Sequence, residues 1–545
     1  MHTIYITKSG AFIKYEFFEC TNDPDNIKYS QKIENFFTLK TMQLIGGFKQ
    51  IKLCKNDKLK KRLIVPRFGI FEILNHKYRL ANCQVISQIQ TGNNVKYNWQ
   101  GTLTFNQQLI SDYIMKNIYK PVKVDDGSAG LILNLEAGQG KSYLAAHLTG
   151  LLGKKTAIVL HSTSLIDQWA KVINTCYPDE NVGYYYCKKK IDANIMLIII
   201  DSGLSEKFTF KLGKKEVVLD PLEFWNQFGF IIFDECHEYC NKFASKLFKF
   251  AQAPYMLGLS ATPSENANKF DKVITWNIGP IINAENIDGY TKTNITFKAN
   301  IHKIMYYGRP KYTKLIRNEK TDIASVSGTI SMICEDTNRD NIVIHCIKKC
   351  LEKNLFTFVF ADRREYLEKL RKLLYEEYNE ESEVMADNED FKRIVGGTKL
   401  IDLEKAEISA KVIFATYAYI GTGKSIIKMN GLVFATPRKT KITQYAGRIF
   451  RLGSDMSIKR HIYDIVDMKT ILSRQWGHRK KYYLSKNYKI YENKYDEMNS
   501  GNTNMEEYDG DDGDDGDDGD KDYEKEEFSI NVEEMRSFVE SIKKR

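Results

Sequence analysis

Two segments of the chain end in Gly-x-Gly-Lys-Ser: Leu135-Glu136-Ala137-Gly138-Gln139-Gly140-Lys141-Ser142 and Ala418-Tyr419-Ile420-Gly421-Thr422-Gly423-Lys424-Ser425. Glycines at this spacing let backbone amides close around phosphate oxygens. The lysine brings positive charge to the outer phosphates, and the hydroxyl can hold a divalent cation. A working loop of this kind leaves a buried strand and opens a helix, whose N-terminal amides face the anion. The first segment has both neighbours. Leu131–Leu135 reads as a strand, and Tyr143–Leu152 as a helix with Leu144, Ala145, Leu148 and Leu151 on one face. The second follows a strand, but only Ile426–Asn430 separates it from the next apparent strand, too little for a helix. Gly138, Gln139, Gly140, Lys141 and Ser142 are therefore the expected triphosphate cradle, with Lys141 on the β/γ-phosphates and Ser142 on Mg2+. Segment 418–425 is read as a coincidental match.

An acidic pair supplies the second half of the chemistry. Phe230-Ile231-Ile232-Phe233 is a continuous apolar run, as a strand buried on both faces requires. Asp234-Glu235-Cys236-His237 follows at its carboxyl end, where parallel sheets bind ligands, about 90 residues after the phosphate loop. Asp234 is expected to hold the metal, and Glu235 to orient and deprotonate an attacking water. A lone Asp-Glu pair is more often a solvated turn; the strand before it and the loop upstream carry the assignment.

These residues need an α/β scaffold, and the chain reads as one. Apolar runs at Ala157–Leu160, Ile195–Ile200 and Met256–Leu259 alternate with helical patterns, which argues a parallel sheet. The style repeats with strands at Phe356–Phe360, Val412–Ala415 and Leu432–Ala435 and helices around Asn341–Glu352 and Glu365–Tyr375. The expected division is an N-terminal accessory domain at 1–100, α/β domains at 101–285 and 286–490, and an acidic tail at 491–545. Within the first of these, Leu63-Ile64-Val65 and Phe68–Leu74 read as short β-type runs. The tail holds Asp509–Asp520, a three-residue Asp/Gly repeat that cannot bury a core and is expected to be disordered. It lacks the terminal Glu and flanking helices of a calcium loop. Ser529–Lys544 beyond it is compatible with a short amphipathic helix.

Composition narrows the partners. The net charge is +10, but residues 492–527 carry 17 acidic and 3 basic side chains, which leaves +24 on the remainder. Such a body favours a polyanion, because Lys and Arg release counterions from phosphates. The ten cysteines form no CxxC pair or zinc pattern, as in a reduced intracellular protein. No apolar run approaches the ~20 residues of a membrane span, and no secretory signal is present.

Further motifs carry a family resemblance. Leu259-Ser260-Ala261-Thr262-Pro263 resembles the SAT motif, and Gln444-Tyr445-Ala446-Gly447-Arg448-Ile449-Phe450-Arg451 matches QxxGRxxR. With the phosphate loop and DECH, their order is that of superfamily 2 helicases of the DExH kind. Trp99-Gln100-Gly101-Thr102-Leu103 followed by Gln107 is similar to the group's opening WxGxL…Q segment. Ser162–Trp169 looks like motif Ia, Phe360–Leu367 like motif IV, Ala415-Thr416-Tyr417 like the start of motif V, and Ile462–Met468 like the closing strand. Val65–Gly69, Phe270–Val273 and Ile278-Gly279-Pro280 resemble segments of phage- and virus-type members. The set resembles the transcript-release helicases of poxviruses and their relatives in other large DNA viruses.

The resemblance implies two tandem RecA-like parallel-sheet domains that clamp ATP and Mg2+. It implies that Gln107 reads the adenine, that Arg448 and Arg451 reach the γ-phosphate from the second domain, and that Gln444 lies at the nucleotide. It assigns coupling between ATP state and movement to His237, Gln444, Ser260 and Thr262, and nucleic-acid contacts to Ser162, Thr163 and Thr416. Two departures stand out: Leu135 replaces a small residue at the head of the phosphate loop, and Ser425 stands where motif V often has Asp. Lys424 beside it could contact a phosphate of the strand. The implied activity is an ATP-dependent helicase or translocase, directed to DNA more than to RNA. The implied setting is viral transcription or DNA metabolism, with the viral transcription machinery as a candidate partner, inside the cell, in the virion or in the host cytoplasm. The alternatives are an RNA helicase and a non-hydrolysing nucleic-acid scaffold; intact Lys141, Asp234, Glu235, Arg448 and Arg451 argue against the latter.

Overall fold

The computed structural model describes residues 2–7, 10–14, 31, 33–43, 47–73, 83–136, 138–212, 215–264, 270–291, 297–319, 322–381, 390–395, 398, 400–417, 426–439, 442–451, 454–494 and 506–507. The second Gly-x-Gly-Lys-Ser segment with Lys424, the acidic repeat and the helix expected at 529–544 lie outside the described residues.

The first large sheet has eight strands. Their spatial order is Lys189–Ile191, Val182–Tyr186, Ile195–Ile199, Thr156–Leu160, Phe230–Phe233, Tyr255–Ser260, Gly130–Asn134 and Ile281–Asn283. All pairings are parallel except that of the edge strand Lys189–Ile191. The central strands are buried along their whole length because helices cover both faces, so every position must be apolar or small. Register brings the loops to one edge. Asn134 lies opposite Ser260, and Phe233 opposite Val159. The turns after Asn134, Leu160, Phe233 and Ser260 therefore open side by side at the carboxyl ends of their strands.

The second sheet also has eight strands, in the order Phe391–Ile394, Val412–Thr416, Thr357–Ala361, Gly431–Phe434, Arg460–Asp467, Ala299–Tyr306, Lys489–Lys494 and Glu506–Glu507. Only the last pairing is antiparallel. Buried ion pairs brace it: Arg339 donates to both carboxylate oxygens of Asp467, and Arg479 to both of Asp464. The expected tandem of RecA-like parallel-sheet units is thus the observed architecture.

The N-terminal part is β-rich. A five-stranded sheet orders Lys55–Asp57, Arg62–Val65, Gly10–Lys14, His2–Thr7 and Cys83–Ser87. One sequence expectation fails here: the run beginning at Phe68 is not a strand, and Gly69–Ile73 forms a helix. A short apolar run has no period of its own, so packing decides. Here the helix lies close against Trp276: Phe68 N–H donates to the Trp276 carbonyl, and Glu72 accepts from the Trp276 indole. Arg67, fully buried, ties this part to the first sheet by donating to the carbonyls of Gly127, Ala253 and Pro254. Burial pushes its pKa down to about 9, against the pull of the Asp126 carboxylate.

Candidate nucleotide and coupling site

The phosphate loop is shaped by its glycines. Gly138 has φ +84° and Gly140 φ +74°, a region that costs an L-residue about 1–2 kcal/mol. Gly140 caps the helix Lys141–Leu152, so the first free amides of that helix point into the loop. Lys141 Nζ donates to the carbonyls of Leu135 (2.8 Å) and Glu136 (3.4 Å), which anchors the ammonium at the strand end. Burial lowers the Lys141 pKa, while the nearby carboxylates of Glu235 and Asp234 oppose that shift. Ser142, half-buried, is the second residue of the helix.

Gln107 lies under the loop. It forms a capping box with Thr104 at the start of the helix Phe105–Asn117. Its amide donates to the carbonyls of Gln139 (3.2 Å) and Gly140 (3.4 Å). Gln107 is thus a strut of the phosphate loop, in addition to the adenine-reading role expected of it.

Asp234 leaves the strand Phe230–Phe233 with 7% of its surface exposed. Its Oδ1 accepts from the Glu235 amide (3.0 Å) and its Oδ2 from the Trp169 indole (2.7 Å). Burial and the Glu235 carboxylate push its pKa up to about 6, against the pull of Trp169 and Lys141. Glu235 itself sits at φ +45°, ψ +54°. A non-glycine residue held there costs roughly 1–3 kcal/mol, and such strain persists where the surrounding structure over-determines it, often at sites of chemistry.

His237 joins the two sheets. Its Nδ1 is 2.9 Å from Ser260 Oγ, and its Nε2 is 3.2 Å from Nε2 of Gln444 on the helix Ile442–Ala446. Because an amide nitrogen only donates, Nε2 accepts from Gln444 in the tautomer that leaves Nδ1–H to donate to Ser260. Ser260 Oγ also accepts the Thr262 amide (3.0 Å), so the SAT turn hangs on the same hydroxyl. Glu235 and Glu238 flank the ring, each 3.4 Å from one of its nitrogens. Gln444, expected at the nucleotide and as a coupler with His237, has its side chain on His237.

The second sheet brings Arg451 to the same place. Arg451 bears electrostatically on both Glu235 and Lys141, and burial lowers its pKa while Glu235 opposes that shift. Arg448 follows one turn after the Gln444 helix and is half-buried. A second bridge links Lys486 Nζ to Glu136 in the phosphate loop at 3.3 Å.

The residues expected on nucleic acid are placed unequally. Ser162 and exposed Thr163 form the turn after the strand Thr156–Leu160, where Ser162 Oγ and Ser164 Oγ are 2.7 Å apart. Thr416 is the last residue of its strand and is 6% exposed; residues 418–425 lie outside the described residues. Sequence reasoning assigned no role to Tyr307–Arg317, which continues from the carboxyl end of the strand Ala299–Tyr306. It exposes Arg309, Lys311, Lys314 and Arg317, with Tyr312 under the first two. The signal was present as basic residues interleaved with tyrosines.

The fit to a divalent cation can be judged from the donors. Among the described residues, no group of three or more His, Cys, Asp or Glu could hold a metal alone. Asp234 and Ser142 offer hard oxygens, and Mg2+ characteristically takes one or two protein ligands and completes its shell with water and phosphate. The residues therefore fit a cation that arrives with a triphosphate. No described helix is long and apolar enough to cross a membrane, and the described cysteines are free thiols.

The chain is similar in sequence to several known proteins. Residues 87–265 match the family described as "Type III restriction enzyme, res subunit". The chain is 27% identical over 405 residues to "Putative ATP-dependent RNA helicase QP509L" of African swine fever virus (isolate Pig/Kenya/KEN-50/1950), covering 71% of this chain and 73% of that one. It is 25% identical over 406 residues to "Putative ATP-dependent RNA helicase L396" of Acanthamoeba polyphaga mimivirus, covering 72% and 69%. Over 157 residues it is 27% identical to "DNA 3'-5' translocase XPB2" of Sulfurisphaera tokodaii, covering 29% and 32%.

Proposed function

We propose that this chain is an ATP-hydrolysing helicase of superfamily 2, a DNA-tracking motor acting in viral transcription or DNA metabolism; the matches to the restriction-enzyme res-subunit family and to viral helicases support this reading. The observation that carries the motor reading is the contact between His237 and Gln444, because it ties the proposed water-activating segment of one sheet to the arginine-bearing segment of the other.

Phosphoryl transfer needs positioning and charge neutralisation more than covalent chemistry. Lys141 and the amides of Gly138–Ser142 hold the triphosphate. Asp234 and Ser142 would hold Mg2+, which supplies charge neutralisation at the β- and γ-oxygens. Glu235 takes the proton from the attacking water. Arg448 and Arg451 meet the charge that builds on the γ-phosphate, a contribution of roughly 10³–10⁵ in rate. Because those arginines belong to the second sheet, ATP draws the two units together and hydrolysis lets them part. A strand held by Ser162 and Thr163 on one side and by the motif V turn, with Thr416 and Lys424, on the other then moves in steps.

The choice of DNA rests on the resemblance to viral transcript-release helicases and on the basic body. Two viral relatives carry RNA helicase names, which gives the RNA reading its weight. ATP turnover measured side by side with single-stranded DNA, duplex DNA and RNA separates the two. Stimulation by DNA beyond that by RNA is the expected result, and stimulation by RNA alone overturns the DNA reading.

A further inference from the structure

We infer that Trp169 is a positioning residue for the metal-holding carboxylate of Asp234; this rests on the reading of Asp234 as a Mg2+ ligand. Trp169 is fully buried on the helix Ile166–Cys176, among Ile166, Val172 and Ile173. A buried indole N–H usually finds an acceptor, and a backbone carbonyl would serve. Here the acceptor is Oδ2 of Asp234, at 2.7 Å. The other oxygen takes the Glu235 amide at 3.0 Å. Each carboxylate oxygen has two lone pairs, so one donor apiece fixes the plane of the group and leaves a lone pair on each for a cation.

The chemical nature of the donor matters. An arginine or lysine in this place would cancel the charge that a cation needs. A neutral indole orients the carboxylate and leaves its charge intact. Trp169 cannot turn away, because its ring is packed on every side within the core. Partners of this kind around metal ligands are worth about 10–100-fold in metal affinity when removed.

The test uses the full chain with ADP and Mn2+ as the probe, reading free Mn2+ by electron paramagnetic resonance. Trp169→Phe, and Trp169→Met as a second variant, remove the N–H. Each is expected to weaken Mn2+ binding about tenfold, with ADP affinity in EDTA unchanged. Val172→Ala disturbs the same buried helix face without touching Asp234, and is expected to keep parental Mn2+ affinity. Asp234→Asn is expected to abolish binding. Parental Mn2+ affinity in the folded Trp169 variants overturns the proposal, as does an equal loss in Val172→Ala. Parental affinity in Asp234→Asn instead overturns the underlying metal assignment and the proposal with it.

Discussion

His237 and Gln444 are 207 positions apart in sequence, yet their Nε2 atoms lie 3.2 Å apart. One follows the strand that delivers Asp234 and Glu235; the other lies in the middle of the short helix before Arg448 and Arg451. The same histidine holds Ser260 through its other nitrogen. One imidazole therefore touches the acidic segment, the SAT turn and the arginine-bearing segment.

Removing the Gln444 side chain by Gln444→Ala is expected to separate hydrolysis from movement. A hydrogen bond of this kind is worth about 0.5–1.5 kcal/mol, so ATP turnover should change by roughly 2–12-fold. Strand displacement per ATP consumed should fall further. Parallel loss of both activities would assign Gln444 to the chemistry instead.

Lys141 and Glu235 should fail differently. Lys141→Ala removes the main phosphate-binding charge, so both ATP binding and hydrolysis are expected to fall to background. Glu235→Gln keeps the size and loses the base, so a fluorescent ATP analogue should still bind while turnover drops about 10²–10⁴-fold. Loss of binding in Glu235→Gln would leave the base role unsupported.

Gly140→Ala meets two obstacles. The position has φ +74°, and an added Cβ would stand 2.2 Å from Gln107 Nε2. Backbone strain alone is about 1–2 kcal/mol. Lower thermal stability and weaker ATP affinity are expected. Adding Gln107→Ala should relieve the clash and leave the backbone part, so the double variant should regain only some of the loss.

A buried histidine pair makes the second unit acid-sensitive. His302 Nε2 and His461 Nδ1 lie 2.9 Å apart, stacked beside Tyr463 and Tyr491. Burial, the paired ring, and Lys353 and Lys459 push His302 down to about 3; burial and the same lysines push His461 down to about 4. Both rings stay neutral in the fold, so the unfolded chain binds the extra protons. This stabilisation is complete above the ordinary histidine value near 6.5 and is lost as pH falls from there toward 4 and then 3. For fully buried His302 the loss is about 1.4 kcal/mol per pH unit in that window. Melting temperatures taken between about pH 7.5 and about pH 5 should fall, and less steeply in His302→Phe. Equal slopes would exclude the pair as the cause.

The local chemistry was legible in the chain. Gly138, Gly140 and Lys141 are dictated by what a phosphate loop requires, and Phe230–Phe233 by what a strand buried on both faces requires. These are short-range demands on residue type, so spacing alone exposes them. The parallel strands were readable for the same reason. The Phe68–Leu74 run was misread because a short apolar run fits helix and strand equally, and contact with Trp276 chose the helix.

Tertiary structure decided the rest. Which indole would hold Asp234, that Gln107 would brace the loop, and that Gln444 would reach His237 all depend on distances between segments remote in sequence. A side-chain hydrogen bond needs partners within about 3.5 Å, and only sheet register and the closure of two sheets bring such groups that near. Glu235's left-handed backbone is of the same kind: no rule of residue type places a glutamate there, and the packed strand end imposes it.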